Sequence, residues 1–112
     1  MTLNIKATNI TLTPALREYV EKKIGSLDRF LARWEREGAI EVWIEVGRTT
    51  RHHLKGDIFR AEVTVRMPGR KVLRADDEGV DVRAAIDKVR DILKTEIQKY
   101  KETAEEKKRA QE

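Results

Sequence analysis

The stretches "AIEVWIEV" and "FRAEVTV" alternate apolar and polar side chains without a slip, and this period of two constrains the fold more than any other feature of the chain. Ile40, Val42, Ile44 and Val46 fall on one side of the first run, opposite Glu41, Trp43 and Glu45. Phe59, Ala61, Val63 and Val65 do the same in the second. Each run is predicted to be a strand with one buried and one open face. Residues 3 to 7, "LNIKA", repeat the pattern as a first strand. Leu73 and Ala75 continue a fourth after "MPGRK", where Pro68 and Gly69 supply the φ values of a tight turn. The strands joined by that turn are antiparallel.

Two long segments switch to the helical period. Thr13 offers a side-chain oxygen to a free backbone N–H and Pro14 loses no bond at the first helical position, so a helix starts there. Leu16, Tyr19, Val20, Ile24, Leu27, Phe30, Leu31 and Trp34 gather on one face, and the helix is expected to end near Gly38. Asp81 caps a second helix with its stripe at Val82, Ala85, Ile86, Val89, Leu93, Ile97 and Tyr100. From Lys101 the stripe lapses into "KETAEEKKRAQE", read as a fraying, solvated tail. Two helices with one apolar face each can cover only one face of four strands. The predicted fold class is therefore α+β, a two-layer sandwich of order β-α-β-β-β-α with both helices on one face of a four-stranded sheet. Residues 1–101 form the single domain and 102–112 the tail. The open face would carry Glu41, Glu45, Arg60, Glu62, Arg66 and Arg74, placed to pair across strands.

Catalysis finds no support in the inventory. The chain has no cysteine, which removes disulfides, thiolate metal sites and cysteine nucleophiles and fits the cytoplasm. Its one serine, Ser26, is not in a G-x-S-x-G elbow, and no Gly-rich phosphate loop occurs. His52 and His53 are neighbours that point to opposite sides of an extended segment, so they are read as a solvated pair rather than as metal ligands. Asp76, Asp77 and Glu78 are read as negative charge just ahead of a helix N-terminus, not as a cation site. No segment approaches the roughly 20 apolar residues that cross a bilayer, and the first residues lack a signal-peptide run. The expectation is a cytoplasmic chain without enzymatic activity, cofactor, metal or membrane segment.

Charge is the remaining signal. The formal net charge of +4 is unevenly spread: residues 46–75 hold eight basic residues against only Asp57 and Glu62. Arg48, Arg51 and Lys55 crowd into "RTTRHHLKGD", within a connection of about eleven residues that exceeds an ordinary hairpin loop and is read as a basic arm for RNA backbone, the alternative being a solvated loop kept soluble by its charge. The helices sort their charges by sign. Lys22, Arg29 and Arg33 share one flank of the first stripe, away from Glu21 and Asp28. Lys23 falls within the apolar arc, so its stem either packs on the core edge with the ammonium in water or aims that ammonium at a phosphate. On the second helix Arg83, Arg90, Lys94 and Lys101 share one flank and Lys88 and Lys99 the other, with Asp87 and Asp91 available for ordinary surface pairing. Side by side, the two helices can merge their basic flanks into a surface suited to an RNA backbone.

Three pieces in order, "LNIKATNITLTPALREYVEKKIGSLDRF", "FRAEVTVRMPG" with "LRA", and "DVRAAIDKVRDILKTEIQKYK", resemble the ribosome hibernation-promoting factor and ribosome-associated inhibitor family over residues 1 to about 101. The resemblance implies a protein that lodges between head and body of the small ribosomal subunit, against ribosomal RNA of the decoding region. There it would exclude messenger and transfer RNA, and it would be a monomer away from the ribosome. Arg17, Lys23, Lys99 and Lys101 match basic positions that meet RNA in that family. Ile92, Thr95 and Glu96 depart from its lysine, arginine and glutamine, and Arg83 from its tyrosine, with Lys88, Arg90 and Lys94 as compensating candidates. Longer members carry a further C-terminal domain that pairs two ribosomes; this chain stops before one and resembles the short form. Two alternatives stay open. One is a double-stranded-RNA-binding module, although a lysine cluster is expected where "DVRAAID" stands. The other is a protein-binding regulator of transcription whose basic loop meets an acidic partner.

Overall fold

The structure, a computed structural model, describes residues 1–49 and 58–111. Strand β1 (Thr2–Thr8) leads into helices α1 (Pro14–Gly25) and α2 (Asp28–Glu35). Strands β2 (Glu41–Arg48), β3 (Phe59–Arg66) and β4 (Val72–Gly79) follow, and helix α3 (Val82–Gln111) completes the chain. The sheet order is β1-β2-β3-β4. β2, β3 and β4 are antiparallel neighbours, whereas β1 pairs in parallel with β2, as a strand joined through a helical crossover must. The α+β order and the coverage of one sheet face are as the periodicities dictate.

The inward residues of the strands meet the helical stripes. Val42, Ile44, Val46, Ala61, Val63 and Val65 are buried beneath Val20, Ile24, Leu27 and Leu31 on one side and Ala85, Ile86, Val89 and Leu93 on the other. α3 lies over β3 and β4, with α1 beside it. Both caps form: the Thr13 hydroxyl oxygen accepts from the Leu16 N–H at 3.2 Å, and Asp81 Oδ1 accepts from the Ala84 N–H at 2.7 Å. The turn after β3 is closed by the Met67 N–H donating to the Lys71 carbonyl at 2.7 Å, with positive φ at Gly69 (77°) and also at Arg70 (69°). A Cβ on Gly79 would lie 2.8 Å from the Ala85 nitrogen, so only glycine lets β4 pass so close beneath the first turn of α3.

Three expectations are corrected. The first helix does not run unbroken to Gly38; it breaks between Gly25 and Asp28. The Ser26 hydroxyl donates to the Lys23 carbonyl at 2.6 Å, and the Leu27 N–H turns to the Ile24 carbonyl at 3.0 Å. A weak helix former followed by a side chain that competes for backbone tightens one turn and ends α1. Asp76, Asp77 and Glu78 do come just before α3, but they are not a loop: they belong to β4, which continues through them to Gly79 because Glu62, Ala61 and Arg60 of β3 stay in register opposite. The segment from 102 continues α3 to Gln111, since Ala, Glu, Lys and Arg sustain a helix without an apolar stripe, and Arg33 reaches across to Glu105 at 3.5 Å.

Candidate nucleic-acid interface

α1, α2 and α3 turn their apolar stripes to the same sheet, so their flanks meet along a seam on the outer side of the helical layer. The helices run in the same direction: Tyr19 and Lys23 face Asp87, Ser26 faces Arg90, and Arg33 reaches Glu105. This adjacency is what merges the two basic flanks.

At one end of the seam the Tyr19 hydroxyl donates to Asp87 Oδ1 at 2.6 Å and Lys23 Nζ lies 3.5 Å from the same oxygen. Lys23 Nζ is 5.7 Å and the Arg83 guanidinium 5.0 Å from the centre of the Tyr19 ring, within cation–π range. The carboxylate that accepts the hydroxyl pushes the Tyr19 pKa from 10.0 up to about 12, helped by burial of the ring. In the middle, Arg90 Nε donates to the Ser26 hydroxyl at 3.3 Å, and its side chain keeps only 20% of its exposure. At the other end a groove of roughly 390 Å³ opens between α2 and α3, lined by Arg29, Arg33, Lys94, Lys101 and Gln98 over Phe30 and Ile97. Arg29 and Lys94 both lie on the Phe30 ring, at 4.7 and 5.4 Å from its centre.

Acids thread this seam without neutralising it. Asp87 takes Lys23, Asp91 takes Arg90 at 3.4 Å and Glu105 takes Arg33. Arg29, Arg83, Lys94 and Lys101 stand with no carboxylate in ion-pair range among the described residues. Such an arrangement favours a polyanion laid along the seam, because each cation that meets a phosphate releases a condensed counterion. Contact with the Phe30 and Tyr19 rings, rather than burial, holds these charges at defined places.

The other sequence candidates lie elsewhere. Arg17 pairs with Glu21 at 3.7 Å on the side of α1 turned away from Tyr19 and Lys23. Lys22 is exposed next to the seam, on the outer surface of α1. Lys88 Nζ donates to the Glu78 carbonyl at 2.9 Å, and Lys99 pairs with Glu96 at 3.7 Å; both sit on the opposite flank of α3. Arg51 and Lys55, with His52 and His53, lie outside the described residues. Arg48, at the end of β2, lines a basin of roughly 730 Å³ on the open sheet face together with Glu45, Arg60, Glu62 and Asp76. Arg33, one helical turn from Arg29 on the same basic flank, shares the groove with it.

The open face has another character. Glu45 stands directly opposite Glu62, and Glu62 directly opposite Asp76, across three neighbouring strands. Arg60 reaches into this row, pairing with Asp76 and, at 3.4 Å, with Glu62. Trp43, at the centre of the same face, is 47% exposed, with the Arg66 guanidinium 5.9 Å from its ring. Among the described residues no helix is long and apolar enough to cross a membrane.

The sequence profile of the family described as Sigma 54 modulation protein / S30EA ribosomal protein matches residues 3–105. The ribosome hibernation promotion factor of Lactococcus lactis subsp. cremoris is 35% identical over 102 residues, covering 88% of this chain and 48% of that protein. That of Deinococcus radiodurans is 33% identical over 97 residues, covering 87% and 47%. The chain thus spans about half the length of the curated relatives it matches. Among solved structures, the N-terminal domain of Thermus thermophilus Protein Y superposes with a TM-score of 0.71 at 30% identity, over 89% of this chain and 99% of that one. A ribosomal subunit interface protein from Coxiella burnetii, at 24% identity and a TM-score of 0.70 over 90% and 98%, has the same fold.

Proposed function

Because the chain belongs to the Sigma 54 modulation protein / S30EA ribosomal protein family, we propose that it binds the small ribosomal subunit through ribosomal RNA and holds the ribosome in hibernation. The seam between α1–α2 and α3 lies on the phosphate backbone of the decoding region, so messenger and transfer RNA are excluded. The protein acts in the cytoplasm, and no enzymatic step, metal or cofactor is part of this reading. The observation that carries it is the set of seam cations Arg29 on α2 and Arg83, Lys94 and Lys101 on α3, unmatched by carboxylates among the described residues. The names of the relatives, ribosome hibernation promotion factors, supply the choice of RNA.

The test is cosedimentation with purified small subunits, with and without messenger and initiator transfer RNA. Binding should be lost to these competitors. It should also weaken on the order of a thousandfold between 50 and 200 mM salt if about six phosphate contacts form. Binding to bare duplex RNA as tight as to the subunit, without competition, would instead identify a general double-stranded-RNA-binding module. Recovery of a protein partner without ribosomes would identify a regulator acting through protein contacts.

A further inference from the structure

An acid at the heart of a phosphate-binding surface calls for a physical reason, and Asp87 is placed between two of the seam cations. Its Oδ1 is the meeting point of both helices, accepting from Tyr19 at 2.6 Å and facing Lys23 at 3.5 Å. Tyr19 and Lys23 are one turn apart on α1, and Arg83 and Asp87 one turn apart on α3, so two pairs with helical-turn spacing confront each other across the seam. Arg83 does not fold back onto Asp87. Its guanidinium lies over the Tyr19 ring instead, where Lys23 also lies.

Building on the RNA-binding role, we propose that Asp87 is a positioning residue of the seam: by anchoring the Tyr19 hydroxyl it fixes the ring against which Lys23 and Arg83 are held, one cation from each helix, at a set separation for RNA phosphates. A lysine and an arginine on bare helix surface must give up much rotamer freedom when a phosphate orders them, and a contact made beforehand removes part of that loss. The ring provides the contact without itself neutralising a charge, so Arg83 keeps its charge free of a carboxylate among the described residues while Lys23 also faces Asp87 at 3.5 Å. A phenol is protonated throughout the physiological range, so the hydrogen bond from Tyr19 to Asp87 stays closed there.

Counter-charge and positioning predict different outcomes for three conservative variants. Asp87→Asn drops the negative charge and keeps an acceptor for Tyr19, Asp87→Ala removes both, and Tyr19→Phe removes the donor alone. Affinity for purified small subunits is measured at fixed salt, with the unfolding midpoint of each variant as a control for the fold. Positioning requires Asp87→Ala and Tyr19→Phe to bind about three- to tenfold more weakly, while Asp87→Asn binds at least as well as the parent protein. It also requires Lys23→Ala to cost less in the Tyr19→Phe background than alone, a coupling that a purely structural role would not produce. If Asp87→Ala and Asp87→Asn both bind more tightly and Tyr19→Phe is unchanged, Asp87 is a plain counter-charge and the proposal is overturned. If Lys23→Ala and Arg83→Ala leave subunit binding intact in the parent protein, the RNA-binding role of the seam falls, and this proposal falls with it.

Discussion

The helical seam and the open sheet face are both densely charged, yet they treat their charges in opposite ways. On the sheet, cations and acids are locked into cross-strand rows: Arg60 sits among Glu62 and Asp76, and Glu45 completes the row. On the helices, 100° per residue sorts charge around the circumference, so cations collect on one flank and the seam adds two such flanks. A tally along the chain does not report this sorting. Residues 46–75 carry the surplus, eight basic against two acidic, but Arg60, Arg66 and Arg74 of that segment stand on the sheet face with Glu41, Glu45, Glu62, Asp76 and Glu78. The first helical region comes from a stretch with no net charge and still gives the seam Lys23, Arg29 and Arg33. Where charge is placed on an element decides a surface more than how much of it the segment holds.

Two pairs of reversals with the same change in net charge would break this contrast most directly. Arg29→Glu with Lys94→Glu should weaken subunit binding on the order of a hundredfold or more, since two phosphate contacts become repulsions. Arg66→Glu with Arg74→Glu should change it less than about threefold. Equal losses in sedimentation assays would leave only an effect of total charge. The same contrast can be sharpened within one helix. Lys23→Glu puts a second carboxylate beside Asp87 and should cost about tenfold in affinity, whereas Glu21→Lys, on the side shared with Arg17, should stay within about twofold.

On the sheet side, Arg60→Ala should leave subunit binding alone and lower stability. Without it Glu45, Glu62 and Asp76 face one another directly, which costs about 0.5–1 kcal/mol. The loss, read from urea midpoints, should shrink as salt screens the row. The smallest effect is a titration. Tyr19 should form its phenolate only near pH 12. Its pKa is raised on folding, so its contribution to stability is fully present below pH 10, the unfolded value, and is lost as pH rises from 10 towards about 12. Absorbance of the phenolate in Asp87→Ala should move back towards pH 10, the ordinary tyrosine value.

Local rules made most of the architecture legible. Periodicity identified every strand and both helical stripes, and Thr13 and Asp81 cap where their positions require. The break at Ser26 was not legible, because it depends on a hydroxyl choosing the Lys23 carbonyl over solvent. Nor was the extension of β4 through Asp76, Asp77 and Glu78, whose own strand propensity is poor; register with β3 carries them. For the candidate site, sorting by flank named most of the seam cations and raised the merging of the two flanks. What the wheel of a single helix cannot give is which flank of α3 faces its neighbour, and that separates Arg83, Arg90, Lys94 and Lys101 from Lys88 and Lys99.

The parallel pairing of β1 with β2 also imposes an order in time. The strands β2, β3 and β4 are sequential neighbours and close with short-range contacts, but Leu3 cannot meet Val42 until all of α1 and α2 lies between them. During synthesis from the N-terminus, β1 is made first and must wait, unpaired, for a partner strand that emerges only after the whole crossover. Even in the finished protein Leu3, Ile5 and Ala7 are only half-buried at this edge. β1 thus holds one edge of the sheet through a single neighbour, and its amide hydrogens should exchange with solvent sooner than those of β2 and β3.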